Sequence, residues 1–129
     1  MASNKKVIGG PVIINGRRLS LSKAIQAGDF VFLTGQIPFL DGAPMTTGSI
    51  EEQTEVVIKE IQNTLNEAGY ELSHVVKAMV WLRDRSDFPG FNEVYGKYFF
   101  KDPPARSAVV NELLVDVRVE VEVVAYVGF

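Results

Sequence analysis

Residues 75–82 read Val75-Val76-Lys77-Ala78-Met79-Val80-Trp81-Leu82, and residues 30–34 read Phe30-Val31-Phe32-Leu33-Thr34. Both are short, nearly unbroken apolar runs, with Lys77 interrupting the first. Strands apolar at successive positions suit a sheet that is covered on both faces. Outward from these runs, Val117 to Val127 alternates cleanly. Val117, Val119, Val121 and Val123 fall on one face, and Arg118, Glu120 and Glu122 on the other, the two-residue period of a strand. Toward the N-terminus, Asn15-Gly16 sits between Val12-Ile13-Ile14 and Arg17-Arg18-Leu19. Both turn positions tolerate positive φ, as a two-residue hairpin requires. Leu19 to Gln26 is then extended, Gly28-Asp29 makes a second tight turn, and Pro38 with Asp41-Gly42-Ala43-Pro44 forms a loop.

Helical signals are fewer. Ser49 and Glu52 match a capping box, in which hydroxyl and carboxylate each satisfy a free backbone N–H. Ile50, Val57, Ile61, Leu65 and Ala68 follow at helical spacing, Ile58 widens the stripe, and Gly69 closes the helix. Asp87 is expected to cap a short second helix whose inward face is Phe88, Phe91, Val94 or Tyr95, and Tyr98. Asp102-Pro103-Pro104 is expected to stop it. Ser107 to Val110 is short and extended. The order is ββ(β)αβαββ, an α+β arrangement with a mixed sheet. Two helices cover one face of a sheet. The other is expected to be buried against another copy of the chain, long loops being the alternative cover.

Composition narrows the chemistry. The chain has 129 residues, 47% hydrophobic and 22% charged. It shows no linker or repeat, so residues 1–129 are expected to form one domain, large enough to bury a core without a covalent staple. The absence of cysteine excludes disulfides, thiolate metal sites and thiol catalysis. A single histidine excludes a multi-histidine metal site and a paired-histidine ribonuclease within one chain. The net charge of −3 argues against a bulk electrostatic grip on nucleic acid, though Arg17-Arg18 with Lys23 could form a local basic strip. No apolar run approaches the length of a membrane span. No apolar run of the length a secretory signal needs follows Lys5-Lys6, and Ala2 stands where N-myristoylation would need glycine. The expectation is a soluble, cytoplasmic protein without a membrane partner.

No phosphate-binding glycine loop occurs. His74, beside Ser73 and just before the Val75 strand, reads as a surface or capping residue. Pro103-Pro104-Ala105-Arg106-Ser107 places an arginine on a stiff approach to a strand. Its planar fork suits a carboxylate or phosphate, and a structural arginine bonding loop carbonyls is the equal alternative. Glu120 reads as an exposed strand residue paired across to arginine, unless its face is buried. In that case its pKa rises and it becomes a candidate base. Gly35 in Thr34-Gly35-Gln36 permits close approach of a ligand to the backbone, or marks a simple bulge.

Four segments together resemble the RidA/YjgF family of reactive-intermediate deaminases, also labelled L-PSP endoribonucleases or translation inhibitors. They are Ala27-Gly28-Asp29-Phe30-Val31-Phe32-Leu33-Thr34-Gly35-Gln36-Ile37-Pro38, Phe91-Asn92-Glu93-Val94-Tyr95, Pro104-Ala105-Arg106-Ser107-Ala108-Val109 and Val119-Glu120-Val121-Glu122-Val123-Val124-Ala125. The resemblance runs from about Ser20 to Val127. It implies a chorismate-mutase-like layer of about six strands with two helices on one face, the other face closed in a homotrimer with clefts between neighbours. It implies hydrolysis of 2-imino and 2-enamino acids, such as 2-iminopropionate and 2-aminoacrylate, to 2-keto acids and ammonia without a cofactor or metal. By the same resemblance, Arg106 binds the substrate carboxylate and Glu120 positions or activates water. Thr34, Gly35, Asn92 and Ala108 line the cleft. Leu21 stands where many members carry a tyrosine, and Ala108 where a cysteine is common. The remaining alternatives are a hydrolase of a ring-cleavage or pyrimidine-degradation intermediate, a non-enzymatic trimeric carboxylate-binding module, and an endoribonuclease.

Overall fold

The computed structural model describes residues 4–129; the reading of Ala2 lies outside the described residues. Among the described residues eight strands and two α-helices follow one another along the chain. They are β1 (Lys5–Ile14), β2 (Arg17–Ala27), β3 (Phe30–Leu33), β4 (Phe39–Leu40), β5 (Ala43–Pro44), α1 (Ile50–Glu67), β6 (Val75–Leu82), α2 (Phe88–Tyr98), β7 (Ala105–Val110) and β8 (Val119–Tyr126). Six strands form one mixed sheet in the order β1-β2-β3-β8-β6-β7. All neighbours are antiparallel except β6 and β7. The turn between β1 and β2 is Asn15-Gly16 with φ of 52° and 75°, the positive pair that joins a two-residue hairpin without splaying its strands.

The α1 start is the expected capping box: the Glu52 backbone N–H donates to Ser49 Oγ at 3.1 Å, and the Ser49 N–H donates to Glu52 Oε1 at 3.4 Å. Its inner stripe of Val57, Ile58, Ile61 and Leu65 is fully buried. It packs with Val119, Val121 and Val123 of β8 and Ala78, Val80 and Leu82 of β6. Each such side chain contributes about 1.5–3 kcal/mol by leaving water. This is the helix-covered face of the sheet. On the opposite face Phe30 and Phe32 are 41% and 46% exposed, and Val7 and Val109 are exposed as well. The apolar runs quoted above therefore have a helix on one side only.

Four local expectations change. Asp87 stands at the α2 N-cap position without capping it by a side-chain hydrogen bond. Its carboxylate instead accepts from Arg118 Nη1 at 3.1 Å, a charge-assisted bond that outcompetes a neutral amide. The second helix ends at Tyr98, and Phe99 leaves helical geometry at φ −113° and ψ 60°, before the prolines are reached. Phe88 is 39% exposed rather than inward. Lastly, the Asp41 loop contains the small β4–β5 hairpin, turning at Asp41-Gly42 with φ of 53° and 79°. Asp-Gly is a hairpin signal in its own right.

Candidate active site

Arg106 enters from β7, the edge strand. Its cross-strand partner on β6 is Ala78, which in turn pairs with Val123 of β8. Directly opposed residues share a face, and Ala78 and Val123 are buried under the helices. Arg106 therefore projects to the helix-covered side. There its guanidinium carbon lies 4.8 Å from the centre of the Tyr95 ring, and 5.7 Å from those of Phe88 and Phe91. These rings recur on one stripe of α2 and make an aromatic bed that holds a planar cation. Among the described residues the Arg106 side chain has no carboxylate partner and no hydrogen bond, so its guanidinium donors are uncommitted. The reading in which it bonds loop carbonyls is not what the structure contains. Ala108 follows two residues later on the same side. With Phe88 and Arg85 it lines a small cavity of about 100 Å³.

Asn92 belongs to the same stripe of α2, between Phe91 and Tyr95. Its Oδ1 is buried without a hydrogen-bond partner, and so is the Tyr95 hydroxyl. Leaving such a group unpaired costs about 1–3 kcal/mol, and both lie on the helix that carries the arginine's bed. Burial pushes the Tyr95 hydroxyl up, against the downward pull of Arg106.

Glu120 lies in β8 opposite Trp81, on the face without helices. It is half-buried, and burial pushes its carboxyl above the usual range, with Glu122 two residues on adding to the rise. The expected Glu–Arg pairing across strands is absent: Arg118 pairs with Asp87, and among the described residues Glu120 has no cation partner. Its carboxylate is pressed against Gly35, where a side chain's Cβ would collide with Oε2. Of the two readings of Gly35, the structure contains the bulge. The register steps by one residue between Phe32↔Val124 and Gln36↔Val121, which is a bulge, and the glycine leaves room for Glu120. Thr34 is tied by its N–H to the Lys23 carbonyl at 2.9 Å. Leu21, Thr34 and Gly35 line one cavity of about 300 Å³ between the β1–β2 hairpin and this segment.

The expected site residues thus fall into two groups. Leu21, Thr34, Gly35 and Glu120 gather at the hairpin and the open face, while Arg106, Asn92 and Ala108 gather at the helix-side edge. Glu120 and Arg106 are separated by β6, with register partners Trp81 and Ala78 on that strand. Two strand spacings and three residues along β6 put their backbones about 10 Å apart in each direction, and their side chains leave opposite faces. One small substrate cannot touch both within one chain. Sequence reasoning assigned Phe88, Phe91 and Tyr95 to core packing. The signal it lacked was that a strand arginine would arrive over the same stripe. His74 is a capping residue, accepting at Nδ1 from the Glu71 N–H at 3.0 Å. Among the described residues no group of three histidine or acidic side chains could hold a metal ion, and no helix is long and apolar enough to cross a membrane.

Comparison with known proteins places this geometry. The profile of the family described as Endoribonuclease L-PSP matches residues 17–127. A RutC family protein of Pyrococcus horikoshii is 45% identical over 107 residues, covering 81% of this chain and 85% of that one. Reactive Intermediate Deaminase A, chloroplastic, of Arabidopsis thaliana is 38% identical over 106 residues, covering 81% of this chain and 57% of that one. The crystal structure of E. coli TdcF with bound serine superposes with a TM-score of 0.82 at 27% identity, covering 94% of this chain and 98% of that one. With its six-stranded mixed sheet, its two helices and these matches, the chain belongs to the RidA/YjgF family, the Endoribonuclease L-PSP family of sequence classifications.

Proposed function

We propose that the protein hydrolyses 2-imino acids, and the 2-enamino acids that tautomerise to them, to 2-keto acids and ammonia. The observation that carries this reading is Arg106: a guanidinium set over three aromatic rings with no carboxylate partner among the described residues. Such a fork fits a substrate carboxylate through two parallel N–H bonds. The relative named Reactive Intermediate Deaminase A and the serine held by TdcF support it, serine carrying the same carboxylate and 2-nitrogen as an imino acid.

The chemistry needs little. In a protonated imine C2 is already electrophilic. Arg106 fixes the carboxylate and so orients C2. Glu120 accepts a proton from water as the water oxygen bonds to C2, giving a tetrahedral carbinolamine. Glu120 returns that proton to the nitrogen, the C2–N bond breaks with loss of ammonia, and the C2 hydroxyl gives its proton to the freed Glu120 carboxylate, and from there to solvent, as it becomes the keto oxygen. A carboxylate whose pKa is raised is a better base than an ordinary glutamate.

The two groups of residues work on one substrate when Arg106 comes from one copy and Glu120 from its neighbour. The exposed Phe30–Phe32 face is the surface on which copies meet, in a homotrimer. The direct test is 2-iminopropionate made in situ from alanine by an amino-acid oxidase. The expected result is accelerated pyruvate release; no acceleration with any 2-imino acid, from an intact oligomer, would reject the reading.

A further inference from the structure

The cavity beside Gly35 is larger than a methyl side chain needs. It measures about 300 Å³, at the lower end of sites that hold drug-sized ligands. A methyl group is close in size to a water molecule, whose share of the liquid is ~30 Å³. The walls are mainly apolar: Pro11, Ile13, Leu19, Leu21 and Phe39 line it with Gly35. Its ionisable lining residues, Lys23 and Glu60, are of opposite sign, so the slot has no net preference for a charged side chain. Ile13, Leu19 and Leu21 are all exposed, apolar surface that an occupant of the same character would cover.

Two features shape this wall. The β1–β2 pairing slips between Pro11↔Ser22 and Ile13↔Arg18. Three β2 residues, 19–21, therefore stand opposite the single residue 12, and Leu19 and Leu21 line the slot at this bulge. The other wall, residues 11–14, precedes residue 17, where the family match begins. Gly35 joins the slot to the chemistry, because it both lines the cavity and abuts the Glu120 carboxylate.

We propose that this slot receives the substrate side chain and selects 2-imino acids with bulky apolar side chains, of the kind leucine or phenylalanine would give, over the methyl-bearing imine. The inference rests on the deaminase reading above and specifies its substrate. A matched apolar pocket discriminates by roughly 10- to 200-fold per methylene, and an isobutyl group exceeds a methyl by three carbons. A tryptophan at Ile13 or Leu19 would fill the slot from the exposed hairpin, where the core is not disturbed.

The experiment compares kcat/KM for imines made in situ from leucine and from alanine, using the wild-type protein, Ile13→Trp and Leu19→Trp, with oligomeric state checked for each. The expected result is a preference of at least about 10-fold for the leucine-derived imine, reduced at least about tenfold in a variant that assembles. Equal rates on the two imines, or a preference for the smaller, would overturn the inference and leave deaminase activity standing. So would a preference that both variants retain, or equal loss on both imines; a neighbouring copy filling the slot would give equal rates. Acceleration of neither imine by the wild-type protein would reject the deaminase reading itself, and the inference with it.

Discussion

Among the described residues Arg106 and Glu120 are each kept without a counter-ion, and the protein does so in opposite ways. Arg106 lies on the helix side, where its guanidinium sits over three rings of α2. Glu120 lies on the open side, where a glycine makes room for the carboxylate and burial with Glu122 nearby raises its pKa. The anion is biased toward accepting a proton. That difference suits a clamp and a base. A pair meant for stability would be built in contact, as Arg118 and Asp87 are at 3.1 Å.

The largest expected effect is on the base. Glu120→Gln keeps size and hydrogen bonding but cannot accept a proton, so kcat should fall by about 10²–10⁴-fold with a much smaller change in KM. Stability should move the other way. A carboxyl whose folded pKa is raised favours folding when protonated, and that contribution is lost as pH rises through the raised value. The glutamine variant should therefore melt no lower than wild type at neutral pH. Equal losses in kcat and in affinity for a carboxylate ligand would assign Glu120 to binding instead.

Arg106→Ala should follow closely. Removing one partner of a desolvated charge pair costs about 2–5 kcal/mol, or roughly 30- to 5,000-fold in kcat/KM. Lysine should not rescue it, since an ammonium cannot reproduce two parallel N–H bonds. An alanine variant that assembles and turns over normally would make the aromatic bed a structural stack. The smallest effect is a displacement of the pH profile. The acid limb of kcat/KM reports the free enzyme's base, and it should lie above the 4.5 of an ordinary glutamate. A limb at or below that value would separate Glu120 from the proton transfer.

The fold was legible because its signals are local. The Asn15-Gly16 turn, the Ser49–Glu52 box and the β8 alternation each declare an element without knowledge of the rest. The helix count against apolar runs then left one sheet face without a helix. What stayed hidden depends on neighbours distant in sequence. Asp87 is diverted from its cap by Arg118, 31 residues on, and Phe88, Phe91 and Tyr95 look like packing until Arg106 lies over them. Likewise, Gly35 looks like a strand end until Glu120 occupies the space beside it. The separation of Arg106 from Glu120 follows from register on β6, which no single segment states.

The central claim is that the clamp and the base of one site come from two copies of the chain. Mixing tests it most directly. Arg106→Ala and Glu120→Gln, each inactive alone, are co-expressed in equal amounts and assayed as assembled oligomers on a 2-imino acid that the wild-type protein hydrolyses. In a ring where each cleft joins two neighbours, random assortment gives about one cleft in four an intact Arg106 and an intact Glu120. The account predicts recovery of about a quarter of wild-type activity per cleft. If both residues of a site belonged to the same chain, every cleft in the mixture would lack one of them. Activity no higher than that of the separate variants, from oligomers shown to contain both chains, would contradict the account.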